Sequence, residues 1–67
     1  MIIVTVNGKK REFDVPHPLL EFLASNRLQE RRIAVGYNGD VVHKDRWHEV
    51  ELGDGDVLEI VQMVGGG

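Results

Sequence analysis

Cysteine is absent from this 67-residue chain, which removes disulfides and thiolate metal sites together. Any covalent chemistry must therefore use another group. Hydroxyl side chains are nearly as scarce: Thr5, Ser25 and Tyr37 are the only three, and none stands in a nucleophile setting such as Gly-x-Ser-x-Gly. No run of residues approaches the roughly 20 apolar positions that span a bilayer. Met1-Ile2-Ile3-Val4 also lacks the basic flank and the length of a signal peptide. Positive charge is short as well, because the chain carries a net −3, whereas nucleic-acid phosphates need a basic face. A soluble, cytoplasmic protein that engages neither nucleic acid nor membrane is expected.

A chain this short forms one small domain that buries only about 60% of its unfolded surface. Its charge is uneven. Residues 1–37 hold six basic and four acidic side chains, and residues 38–67 hold two basic and seven acidic. The acidic half ends at the C-terminal glycines, so a partner with a basic docking surface would suit it. A solvated acidic face that keeps a small protein in solution is the plainer alternative.

Ile2, Val4 and Val6 alternate as a strand does, and Asn7-Gly8 predicts a tight hairpin turn. Lys9 to Val15 returns as a second strand with Phe13 and Val15 inward, ended by Pro16. Pro18 suits a first helical turn, and Leu19, Phe22 and Leu23 form one apolar stripe. A helix is expected over 18–26, with Leu28 covering its end. Ile33–Tyr37 reads as a third strand, Asn38-Gly39 as a second turn, and Val41-Val42 as a short strand. Lys44–His48 has room for a helical turn, Val50 and Leu52 mark a short strand, and Gly53-Asp54-Gly55-Asp56 is a turn. The last strand spans 57–63, with Leu58 and Ile60 on one face and Val57, Glu59 and Val61 on the other.

Two hairpin-like pairs around one helix predict an α+β fold. A mixed four- to five-stranded sheet carries the main helix on a single face, and the first and last strands run parallel at its centre. This is a β-grasp layout, comprising a domain over 1–63 and a flexible glycine tail over 64–67. The expected core is Val4, Val6, Phe13, Leu19, Phe22, Leu23, Val35, Leu52, Leu58 and Ile60. Trp47 is read as half buried under the lower edge of the sheet.

The body offers little catalytic chemistry. His17, His43 and His48 lack the spacing and carboxylate companions of a metal site. The Gly53–Asp56 turn lacks the EF-hand spacing, and no helix or lysine follows Gly65-Gly66-Gly67 to make a phosphate loop. Two features remain. Val61 and Met63, with Glu59, fall on the helix-free face just before the tail, where Ile3 or Thr5 could extend an apolar partner surface. The glycines form a thin tail able to thread where side chains would clash. Their chemical handle is the α-carboxylate of Gly67, although a frayed end or an expression scar would look the same.

Asn7-Gly8, Leu19-xx-Phe22-Leu23, Asn38-Gly39-Asp40-Val41-Val42, Lys44-xx-Trp47, Gly55-Asp56-Val57 and Val64-Gly65-Gly66-Gly67 occur in that order. Together they resemble the ThiS family of thiamine-biosynthesis sulfur carriers, ubiquitin-like β-grasp proteins, over essentially the whole chain. The resemblance implies a non-enzymatic carrier, monomeric when free, that binds no cofactor itself. An adenylating enzyme of the ThiF type would use ATP and Mg²⁺ to convert the Gly67 carboxylate to an acyl-adenylate. Sulfur from a cysteine desulfurase, delivered as a persulfide, would then leave a thiocarboxylate for thiazole synthase. Gly66, Gly65 and Val64 would be the tail residues that partners recognise. Some relatives have Pro-Arg where this chain has His43-Lys44, and lysine is not an equivalent fork donor. The small subunit of molybdopterin synthase and a ubiquitin-like protein modifier are alternatives of similar fold, and a plain β-grasp binding module is the alternative of a different class.

Overall fold

The computed structural model describes residues 1–28 and 31–63. The chain runs β1 (Ile2–Val6), β2 (Lys9–Phe13), β3 (His17–Pro18), α1 (Leu19–Ser25), β4 (Ile33–Tyr37), β5 (Asp40–Val42), a 3-10 helix (Lys44–Glu49), β6 (Glu51–Leu52) and β7 (Val57–Gln62). Five strands form one mixed sheet in the order β2-β1-β7-β4-β5, and β3 and β6 form a separate two-residue ladder. As the hydrophobic pattern requires, β1 and β7 run parallel at the centre, with Thr5 opposite Val57 and Val6 opposite Leu58. The other pairings are antiparallel. This is the ubiquitin-like β-grasp architecture.

Both Asn-Gly turns form as their sequence dictates. Asn7 and Asn38 sit at φ of 49° and 50°, and Gly8 and Gly39 follow at 83° and 91°, the left-handed pair that a two-residue hairpin needs. The asparagines also bond to β7. The Ile60 N–H donates to Asn7 Oδ1 at 2.7 Å, and Asn7 Nδ2 donates to the Ile60 carbonyl at 3.2 Å. The carboxamide thus adds a rung to the parallel ladder after β1 has turned away. At the other end of β7, the Val57 N–H donates to Asn38 Oδ1 at 2.8 Å.

Helix α1 is shorter than its pattern suggests, because Pro18 stands outside it as the N-cap residue and Asn26 closes it. Past Asn26 the Leu28 N–H reaches the Leu23 carbonyl at 2.8 Å, and the Arg27 N–H reaches that of Ala24 at 3.0 Å. Arg27 takes the left-handed conformation (φ 57°) that glycine usually fills at this point of a helix end. Leu28 packs against the core, as its place after the apolar stripe implies.

The core lies between α1 and one face of the sheet. Eight of the ten expected core residues are buried, while Phe13 and Ile60 are partly buried around it. Ile2, Ile33 and Trp47 join the core. Trp47 is fully rather than half buried, because the 3-10 helix turns it inward and its indole N–H donates to the Val42 carbonyl at 3.0 Å. Val15 is exposed at 64%, contrary to the inward placement. β2 ends at Phe13, and the chain bends at Asp14-Val15 toward the β3–β6 ladder, where His17 faces Leu52. Among the described residues, no helix is long and apolar enough to cross a membrane.

Candidate functional site

Strand β7 sets the geometry of the site. Its alternation puts Leu58 fully inside and Ile60 partly inside, and leaves Val57, Glu59 and Val61 on the helix-free face. Val61 is 60% exposed and Met63 55%, so the expected apolar surface before the tail is present. Its neighbours differ from those expected. Ile3 and Thr5 lie beside the start of β7, since Thr5 faces Val57 and the Gly55 N–H donates to the Ile3 carbonyl. The parallel register therefore keeps them from Val61. Val61 instead faces Ala34, Glu59 faces Gly36, and Gly36 faces Val41.

These residues line a shallow depression of about 250 Å³ on the open face of the sheet. Gly36 forms its floor. A Cβ there would meet the Glu59 Cβ at 3.8 Å, an ordinary contact, so the fold itself does not require glycine at this position. Glycine inside a strand weakens it and often marks a close approach by another chain. Val41, 71% exposed, rises on the outer side. Ala34, Gly36 and Val41 could not be assigned to this surface from sequence, because only the register of β4 between β7 and β5 places them there.

β7 hands the chain on at Met63, whose N–H donates to the Arg32 carbonyl at 2.8 Å. Val64, Gly65, Gly66 and Gly67 lie outside the described residues.

The opposite end of β7 is held by side chains. Asp56 accepts from the Tyr37 hydroxyl at 2.5 Å, the Gly53 N–H at 2.7 Å and Asn38 Nδ2 at 3.1 Å. Burial disfavours its charged form, but the hydrogen bonds from Tyr37, Gly53 and Asn38 outweigh this and hold the carboxyl below its ordinary 3.8. The same bond, with burial and the Asp56 charge adding to it, pushes Tyr37 up to about 12. Asp54 accepts the Ile3 N–H at 2.8 Å. The Gly53–Asp56 segment is thus a turn whose carboxylates serve the fold.

The remaining polar candidates have structural roles. His17 stacks on Phe13 with ring centroids 4.7 Å apart, the Ser25 hydroxyl donates to the Phe22 carbonyl, and His48 stands beside Glu49 on the surface. Among the described residues, no three His, Cys, Asp or Glu side chains are grouped to hold a metal ion.

The ThiS family model matches residues 4–67. The sulfur carrier protein ThiS of Bacillus subtilis (strain 168) is 49% identical over 47 residues, 70% of this chain and 71% of that one. A thiazole synthase of Paramagnetospirillum magneticum is 34% identical over 64 residues, 96% of this chain but 20% of that longer protein. Among solved structures, the crystal structure of the thiamine biosynthesis protein ThiS from Geobacter metallireducens superposes with a TM-score of 0.82 at 28% identity, covering 98% of this chain and all of that one. The solution structure of a thiamine biosynthesis protein from the same organism gives 0.76 at 29% identity, over 98% and 88% of the two chains. Matched in sequence over nearly its whole length and in fold, with a central strand that leads to a glycine tail, this chain belongs to the ThiS family.

Proposed function

We propose that this ThiS-family sulfur carrier of thiamine biosynthesis takes up its sulfur at the α-carboxylate of Gly67. The observation that carries the reading is the family match running through Gly67 in a chain without cysteine. A carboxylate is a poor electrophile, and the described body offers no group to activate it. Activation therefore falls to a partner: an adenylating enzyme of the ThiF type uses ATP and Mg²⁺, the carboxylate attacks the α-phosphorus, and pyrophosphate leaves. This divides one hard substitution into two easier ones. Sulfur from a desulfurase-borne persulfide then displaces AMP, and the resulting thiocarboxylate donates sulfur to thiazole synthase. Gly66, Gly65 and Val64 give the tail the slenderness to enter each active site.

The body serves as a handle. Val61, Met63 and Glu59, with Ala34, Gly36 and Val41, form the face that partners grip, since exposed apolar patches mark such surfaces. Similarity of this chain to one-fifth of a thiazole synthase supports that enzyme as a partner: a carrier-like segment within the same polypeptide puts sulfur donor and acceptor together. The carrier itself binds no cofactor in this reading, and it works in the cytoplasm.

Intact mass after incubation with the adenylating enzyme, a cysteine desulfurase, cysteine and ATP tests the proposal. A gain equal to exchanging one oxygen for sulfur is expected, and it should vanish when Gly67 is deleted. An unchanged mass, with a second carrier showing that the enzymes are active, would overturn it. Covalent attachment to lysines of other proteins would point to a modifier instead.

A further inference from the structure

Folding reverses the charge distribution that the linear sequence suggests around the tail. β7 has six residues, so its two ends lie roughly 20 Å apart at the rise of a strand. The carboxylates of Asp54 and Asp56 stay at its start, bonded to Ile3 and Tyr37. Glu51 also lies away from the exit, opposite Pro18 before the first turn of α1. The end of β7, where the tail departs, is surrounded by residues from the first half of the chain. Arg32 bonds to Met63 through its carbonyl, and Arg31 is tied by its N–H to Leu28. Arg27 follows the helix end, and Lys9 faces Val6 beside the first turn. Arg11 lines a cleft of about 260 Å³ together with Asn7, Asn26 and Gln62, over a floor that includes Phe22 and Ile60.

Five of the eight basic residues of the chain therefore ring the tail's exit, all exposed. The ion pairs among the described residues, Arg46–Glu49 and His48–Glu49, involve none of them. The expectation that an acidic half borders the tail is thus corrected: β7 carries the chain away from its acidic turn into a basic collar.

We propose that this collar is a second docking surface, separate from the apolar sheet face, and that it seats against carboxylates on the lip of the channel through which the adenylating enzyme takes the tail. The assignment rests on the carrier reading above. Charge complementarity and position argue for it together. A net-negative protein gains nothing in general attraction to an acidic lip, but a cationic ring around the exit orients the tail toward the channel during encounter. The cleft beside Arg11 offers amide donors in addition, so a carboxylate seated there meets both charge and hydrogen bonds.

The experiment is stopped-flow association with the adenylating enzyme at several salt concentrations, using wild type, Arg11→Glu, Arg32→Glu and Arg46→Glu. Each substitution changes the net charge equally, but Arg46 lies on the 3-10 helix, away from the exit. Near-UV dichroism of buried Trp47 checks that each variant folds. At about 0.01 M ionic strength, where screening is weak, both collar variants should associate roughly tenfold more slowly and Arg46→Glu less than about twofold. Salt should slow wild type and erase the differences. Equal slowing of all three variants would mean that net charge alone acts, and no slowing, or no association of wild type, would likewise overturn the collar. Intact mass keeps the two readings apart. Sulfur uptake with collar-independent association retains the carrier and sinks the collar, whereas collar-dependent association without sulfur uptake does the reverse.

Discussion

The two ends of β7 are built differently. At its start, Asp56 gathers three donors, Asn38 caps Val57, Asp54 holds β1, and Leu58 is sealed in the core. At its end, Val61, Gln62 and Met63 are exposed, and the last backbone bond runs from Met63 to Arg32. One strand thus joins a fastened end, where polar groups are spent on the fold, to an open end, where surface is left for partners. In so small a domain the separation has a physical reason. Stability is on the order of 3–10 kcal/mol at this length, so groups committed to recognition cannot also be those that hold the fold.

Substitutions along β7 should reproduce this gradient. Leu58→Ala strikes the sealed part. Truncating a fully buried leucine costs about 2–5 kcal/mol, comparable to the whole stability of the domain. Thermal melts by circular dichroism should show the variant largely unfolded near 37 °C. A melt close to wild type would mean that β7 is not the keystone of the core.

Asp56→Ala comes next. It leaves the Tyr37 hydroxyl, the Gly53 N–H and Asn38 without their acceptor. The site is partly exposed, so water replaces some of what is lost, and about 1–3 kcal/mol is expected from urea midpoints. Sulfur uptake per folded molecule should be unchanged, because the acidic turn lies far from the tail.

Much of this architecture was legible in the sequence, for reasons that also mark the limit. The Asn-Gly pairs, the stripe Leu19-Phe22-Leu23 and the alternation of β1 and β7 are local signals, and each formed the element expected. Non-local relations were not legible. That Asn7 and Asn38 would bond to β7 depends on sheet order, as does the inward turn of Trp47 under Val42. Val15 read as inward only because β2 was continued past Phe13, where the β3–β6 ladder bends the chain away. The surface around Val61 was half readable. Its own exposure follows from alternation, while Ala34, Gly36 and Val41 arrive through register. The basic collar was hidden altogether, because its arginines are distant from the tail in sequence and are brought there by the parallel β1–β7 pairing and the end of α1.

A smaller effect, set by pH, isolates the Tyr37–Asp56 bond. Tyr37 is raised to about 12, so its contribution is full below its ordinary value near 10 and is lost as pH rises through 12. Asp56 behaves oppositely. Its depressed carboxyl stabilises above 3.8 and loses that contribution as pH falls through the lower folded value. Tyr37→Phe should cost about 1 kcal/mol at neutral pH and flatten the alkaline limb relative to wild type, with the acid limb shallower but present, since Gly53 and Asn38 still bond to Asp56. Parallel alkaline limbs in the two proteins would show that the bond does not govern Tyr37.

The least effect on stability, and the sharpest division between the two ends, is expected from Val61→Asp. Val61 is 60% exposed and faces Ala34 across the ladder, so the change loses little burial. Its cost is the poorer strand propensity of aspartate and repulsion from Glu59 on the same face, together under about 1 kcal/mol. A charge placed beside the Gly36 depression would have to be desolvated in any apolar contact formed there, and affinity for the adenylating enzyme should fall about tenfold or more by calorimetric titration. Unchanged affinity would exclude the sheet face as a grip and leave the collar and tail to hold the partner. A large loss of stability would instead mean that the open end of β7 helps to hold the fold, and the contrast between its two ends would then disappear.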